Sequence, residues 1–166
     1  MAMNKYLSII TLNVNGLNAP IQRHRVTEWI RKHDPHICCL QEIHLRTKDL
    51  HRLKVKDWKK IFQANGEGKI ARVAILISDQ IDVRTKATKR DKEGHFIILK
   101  GRIHQEDINI INIYALDIGA PKYIRKILED FKKDIDSNTI IVGNFNIPLS
   151  KRIDLPNKIP TRILQH

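Results

Sequence analysis

The sequence predicts an α/β fold, a two-layered sandwich in which β-strands outnumber helices. Short runs rich in Ile, Val, Leu and Phe recur between turn signals, each too short for a helix. Only two stretches carry apolar residues at helical spacing. With 166 residues, 42% of them hydrophobic and 29% charged, the chain can bury one real core and does not read as disordered.

In chain order, Leu7 to Leu12 is a short strand closed by the turn pair Asn15-Gly16. Pro20 opens the first helix, where Val26, Trp29 and Ile30 share one face, and Asp34-Pro35 stops it. Ile37 to Leu40 is a continuous apolar run, as expected of a strand buried on both faces. Trp58 to Phe62 predicts a strand that ends at the turn Asn65-Gly66-Glu67-Gly68. Val73 to Ile77, Phe96 to Leu99 and Ile108 to Tyr114 are strands by composition. Pro121 suits the first turn of the second helix, whose stripe is Ile124, Ile127, Leu128, Phe131 and Ile135. Thr139 to Val142 is the last predicted strand. Residues 1–149 read as one domain, and 150–166 as a weakly structured basic tail with Pro156 and Pro160 and no periodicity.

Lys and Arg number 30 against 18 Asp and Glu, a net charge of +12. A surplus of that size points to a polyanionic partner, by default nucleic acid bound without sequence preference. The densest basic stretch holds Arg84, Lys86, Lys89, Arg90 and Lys92. It either touches phosphates or is a solvated loop, and the loop is the preferred reading. Cys38 and Cys39, the only cysteines, fall in an apolar run and should face opposite sides of a strand as small buried residues. Two adjacent cysteines exclude a disulfide framework, which suggests a reducing compartment. No apolar stretch approaches the roughly 20 residues of a membrane helix. With no signal peptide visible, the expected location is intracellular, nuclear or cytoplasmic, with no membrane partner. His33 and His36 straddle Pro35, a poor arrangement for zinc.

Polar clusters follow directly on apolar runs at Asn13-Val14-Asn15-Gly16, Gln41-Glu42 and Gly143-Asn144-Phe145-Asn146, and Tyr114 ends a further strand. Polar groups at strand ends sit on the rim of a sheet, where rigid elements hold a site. The stretches Thr11 to Leu17, Leu40-Gln41-Glu42, Ile113-Tyr114-Ala115 and Gly143 to Asn146 resemble the exonuclease–endonuclease–phosphatase superfamily. Asn18 to Arg25 and Lys89 to His95 are most similar to its branch in the endonuclease domain of long interspersed element retrotransposons.

The resemblance implies a sandwich of the deoxyribonuclease I and exonuclease III type. It also implies hydrolysis of a DNA phosphodiester with Mg²⁺ or Mn²⁺, akin to the apurinic-site endonucleases. By that resemblance Glu42 is the metal carboxylate, Asn13 supports metal and phosphate, Tyr114 hydrogen-bonds a phosphate oxygen, and Asn146 positions nucleophile and phosphate. The matching motif usually reads Gly-Asp-Phe-Asn, and Asn144 occupies the position of the catalytic Asp. An amide has no basic lone pair near neutral pH. Arg72 stands where the branch has a small residue, Ile43 where Thr usually follows Gln-Glu, and Leu116-Asp117 where Pro-Asn follows Tyr-Ala. The family's later motifs, an Asp and a closing Ser-Asp-His, are not found in this sequence. The expectation is therefore a partial domain, with Val73 to Ile77 and Phe96 to Leu99 short of packing partners. It is a hydrolase by family, catalytically defective and holding metal weakly. The alternative is a non-catalytic nucleic-acid-binding remnant or a retrotransposon fragment without function.

Overall fold

The computed structural model describes residues 7–114, 120–135, 138–144 and 162–165. Two sheets lie face to face. The first takes the order β1 (Ile9–Asn13), β2 (Ile37–Arg46), β4 (Ile70–Ile77), β3 (Lys60–Asn65). The second runs β5 (Val83–Arg90), β6 (Phe96–Ile103), β7 (Glu106–Tyr114), β8 (Thr139–Asn144), β9 (Arg162–Gln165). β1 and β2 are parallel, as are β7 and β8. Parallel neighbours need a crossover. The helix α1 (Pro20–His33) follows β1, and α2 (Ala120–Asp130) follows β7.

Alternation along β2 divides the core in two. Cys38, Leu40 and Ile43 join Val26 and Ile30 of α1 with Ala74, Leu76 and Trp58. Cys39 and Ile37 face the other way, into a core between the sheets with Val73, Ile75, Ile77, Ile97, Leu99, Ile110 and Val142. The adjacent cysteines thus do face opposite sides, both buried. Burial pushes the Cys38 thiol up to about 12 and raises Cys39 well above its usual value. Phe96, next to inward-facing Ile97, meets the ring of Phe131 just past α2, with ring centroids 5.2 Å apart. The layers therefore run helix, sheet, sheet, helix.

Several expectations are corrected. The strands Val73 to Ile77 and Phe96 to Leu99 do not lack partners. Both sheets are built within this chain, and their inner faces cover each other, with Val73, Ile75, Ile77 and Ile97 fully buried. The basic stretch from Arg84 is no loop: it forms β5, on the edge of its sheet, with Val83 turned into the core. Its exposed lysines and arginines hide strand alternation from a reading based on hydrophobicity. β3 starts at Lys60, two residues beyond Trp58, whose indole packs beneath α1 and donates to Pro35 O at 2.9 Å. Within the tail expected to be weakly structured, Arg162–Gln165 pair in parallel with β8, and the rest of that tail lies outside the described residues. The stop at Asp34 holds: its backbone is left-handed (φ 47°) and its N–H donates to Ile30 O at 2.8 Å.

Candidate functional site

Parallel pairing brings strand ends together. Asn13 lies in register with Gln41, and Tyr114 with Asn144. The Tyr114 hydroxyl donates to Glu42 Oε1 at 2.8 Å, joining the rims of the two sheets. The loop after β1 is laced to the middle of β2: Val14 N donates to Gln41 O (3.0 Å), Gly16 N to Glu42 O (2.7 Å) and Leu17 N to Ile43 O (2.9 Å). The end of β1, Gln41 and Glu42 of β2, and the end of β8 at Asn144 therefore meet at one rim; β2 does not stop at Leu40, as its apolar run suggests, but continues through Gln41 and Glu42 to Arg46. Gly143 is required there, since a Cβ would collide with the Ile113 carbonyl and φ is +150°.

Glu42 sits in a bulge of β2. The register moves from Gln41 opposite Val73 to Leu45 opposite Ala71, so extra residues loop out of the ladder. Glu42 and His44 have φ of 55° and 50°, a left-handed backbone that costs of order 1–3 kcal/mol for a residue with a side chain. The bulge re-aims Glu42, which is half-buried, toward Tyr114.

Beneath the rim runs a polar spine that the sequence reading missed. Gln41 Nε2 donates to Thr11 Oγ1 and to Asn112 Oδ1, each at 2.8 Å. Asn112 Nδ2 in turn donates to Leu40 O (3.1 Å) and Ala74 O (2.8 Å). All three side chains are buried. The signal was present: Asn112 interrupts an otherwise apolar inward face of β7, after Ile108 and Ile110. His95, also missed, lies near Tyr114 with ring centroids 6.4 Å apart, and its O accepts from Tyr114 N at 2.7 Å.

Of the residues singled out in sequence, Glu42 and Tyr114 are in direct contact. Asn13 is adjacent in register, but its Oδ1 accepts from Asn15 N at 3.1 Å and so shapes the turn. The backbone of Asn144 is at the rim, and Asn146 lies outside the described residues. Among the described residues no group of three His, Cys, Asp or Glu could cage a metal. A single carboxylate with an amide beside it suits Mg²⁺, which keeps most of its waters and takes one or two carboxylates.

A sequence model described as the endonuclease/exonuclease/phosphatase family matches residues 10–158. The chain belongs to this family. Among curated proteins it is similar to the transposon TX1 uncharacterized 149 kDa protein of Xenopus laevis, at 30% identity over 151 residues. That match takes in 88% of this chain and only 11% of the transposon protein's length. Among solved structures, truncated TDP2 of Caenorhabditis elegans shares the fold at a TM-score of 0.71 and 16% identity, over 91% of this chain and 66% of that one. The endonuclease domain of TRAS1, a telomere-specific non-LTR retrotransposon, aligns at 0.61 and 14% identity, over 86% and 61%. TDP2 of D. rerio, complexed with a single-strand DNA product, aligns at 0.66 and 17% identity, over 86% and 61%. The α/β sandwich of this family is thus the fold of the chain, and no described helix is long and apolar enough to cross a membrane.

Proposed function

We propose that the chain is a Mg²⁺-dependent DNA phosphodiester hydrolase of the apurinic-endonuclease and exonuclease III type by descent, and that its hydrolysis is crippled. The observation that carries the reading is the 2.8 Å bond from Tyr114 to Glu42, which places a carboxylate and a phenol on one rim of a nuclease-family fold. Glu42 and Asn13 would hold Mg²⁺ or Mn²⁺, and a bound ion supplies positive charge against a phosphate. Tyr114 orients the Glu42 carboxylate through its single hydroxyl proton, and would turn that proton to a phosphate oxygen once a metal ion holds Glu42. Asn146 would position the phosphate and the attacking water.

The defect lies at Asn144. A carboxylate at this position would take or orient the proton of water, whereas an amide neither accepts that proton nor carries charge. The loss of general-base help costs about 10²–10⁴ in rate. DNA as the partner is supported by the net charge of +12 and by the similarity in fold to a retrotransposon endonuclease domain and to a protein complexed with DNA product.

The test is nicking of supercoiled plasmid. The chain is expected to show no Mg²⁺-dependent nicking above background. A chimera that carries residues 1–149 of this chain in a related domain of the family stays inactive until Asn144→Asp is added, and Glu42→Ala then abolishes cutting. Mg²⁺-dependent nicking by the unmodified chain, lost in Glu42→Ala, would refute the proposed defect. A repaired chimera that never cuts would refute the hydrolase reading.

A further inference from the structure

Arg72 stands in β4 opposite the Glu42 bulge, since its neighbours Val73 and Ala71 pair with Gln41 and Leu45. Two turns close on its side chain. A Cβ at Gly66 would overlap Arg72 Nε and approach Glu93 O to 2.8 Å. A Cβ at Gly94 would lie 3.1 Å from Arg72 Cδ and 2.7 Å from Gly66 N. Glycine at both positions is what leaves room for the arginine. The second turn continues into His95, whose carbonyl accepts from Tyr114 N, so it is anchored to the rim.

Arg72 Nε is buried without an acceptor among the described residues. Asn65 Oδ1, in the same β3–β4 hairpin, is a second buried polar atom without a partner. By contrast, Arg90 at the same corner donates through Nε to Gln63 O at 2.8 Å. A buried donor without an acceptor costs about 1–3 kcal/mol. A half-buried guanidinium left so is rare, and its planar fork matches phosphate oxygens. The side chain is already held by the two turns, so binding an anion costs little further ordering.

We propose that Arg72 is a phosphate-binding residue of the rim, its guanidinium taking a backbone phosphate that flanks the one beside Glu42. This rests on the reading of the rim as a nucleic-acid site. It requires no hydrolysis, so it holds for a chain with Asn144.

The experiment measures binding of labelled duplex DNA at several salt concentrations for the parent, Arg72→Gly, Arg72→Gln, and Lys32→Ala as a surface control on α1. Thermal melts confirm that each variant folds, and Arg72→Gln keeps most of the side chain's volume if Arg72→Gly does not. Each phosphate neutralised by a protein cation contributes about 0.9 to the slope of log affinity against log salt, through the counterion it releases. Both Arg72 variants should bind about tenfold more weakly at low salt, with the slope reduced by about 1, as expected for one lost phosphate contact. Lys32→Ala should match the parent. Arg72 variants that bind like the parent, with the parent's slope, would overturn this inference and leave the proposed function standing. A parent that binds no duplex even at low salt would overturn both.

Discussion

At the scale of single residues, the rim depends on side chains whose alternatives are costly. Asn112 is fully buried and satisfies Gln41, Leu40 O and Ala74 O at once. Removing it leaves several buried groups without partners, each worth about 1–3 kcal/mol. Asn112→Ala is therefore expected to destabilise by about 2–4 kcal/mol in chemical denaturation. Gln41→Ala should couple to it, with the double variant less destabilised than the sum of the singles. Strict additivity would mean that the spine does not act as a unit. The cysteines give a second residue-scale test. Burial raises the Cys38 thiol to about 12 from its ordinary 9.0. A thiol whose folded pKa is raised stabilises fully below its unfolded pKa and loses that contribution as pH rises through it. Stability measured by denaturant should thus fall between pH 9 and 12, and Cys38→Ala should flatten part of that fall. Native protein at pH 8 should also resist thiol alkylation until unfolded.

At the scale of elements, β5 shows how one run of residues carries two meanings. Its charged side chains read as a solvated loop, yet they decorate an edge strand. Edge strands expose unpaired backbone groups, and lysines along them discourage pairing with other molecules. Lys86 and Arg102 share Asp107, at 2.8 and 3.2 Å, and hold its carboxyl below the usual range. That network is fully exposed and screened by solvent, so its value lies in keeping charge on the edge. Replacing Lys86 and Lys89 together by Val is expected to leave the melting temperature nearly unchanged and to raise aggregation sharply. Light scattering at increasing protein concentration checks this, and unchanged scattering would assign the charges another role.

At the scale of the whole molecule, the two inner sheet faces cover each other and α1 and α2 pack against the sheets' outer faces. The +12 surplus is spread along the chain and is not gathered into one arm. Binding to duplex DNA is therefore expected to be weak, indifferent to sequence and steeply dependent on salt, because release of condensed counterions drives it. Titrating two unrelated duplexes at low and high salt measures this. A strong preference for one duplex, or affinity that ignores salt, would contradict it.

The sequence by itself determined the elements whose periodicity matches their burial. The helix at Pro20, its stop at Asp34-Pro35, and the inward strands around Ile37, Val73, Phe96 and Ile108 were legible, since each buries an apolar face. It also singled out Asn13, Glu42, Tyr114 and Asn144, and through their motifs the family, although Glu42 lies in a bulge within β2 and not at a strand end. Only the tertiary structure decided what depends on a neighbour distant in the chain. β5 and β9 exist because an adjacent strand offers a ladder, not because their own residues alternate. The bond from Tyr114 to Glu42, the pairing of Gln41 with Asn112 and the cradle around Arg72 each join segments that sequence separates. Local patterns record which face of an element is buried, whereas a site is built from contacts that only the packing of two sheets creates.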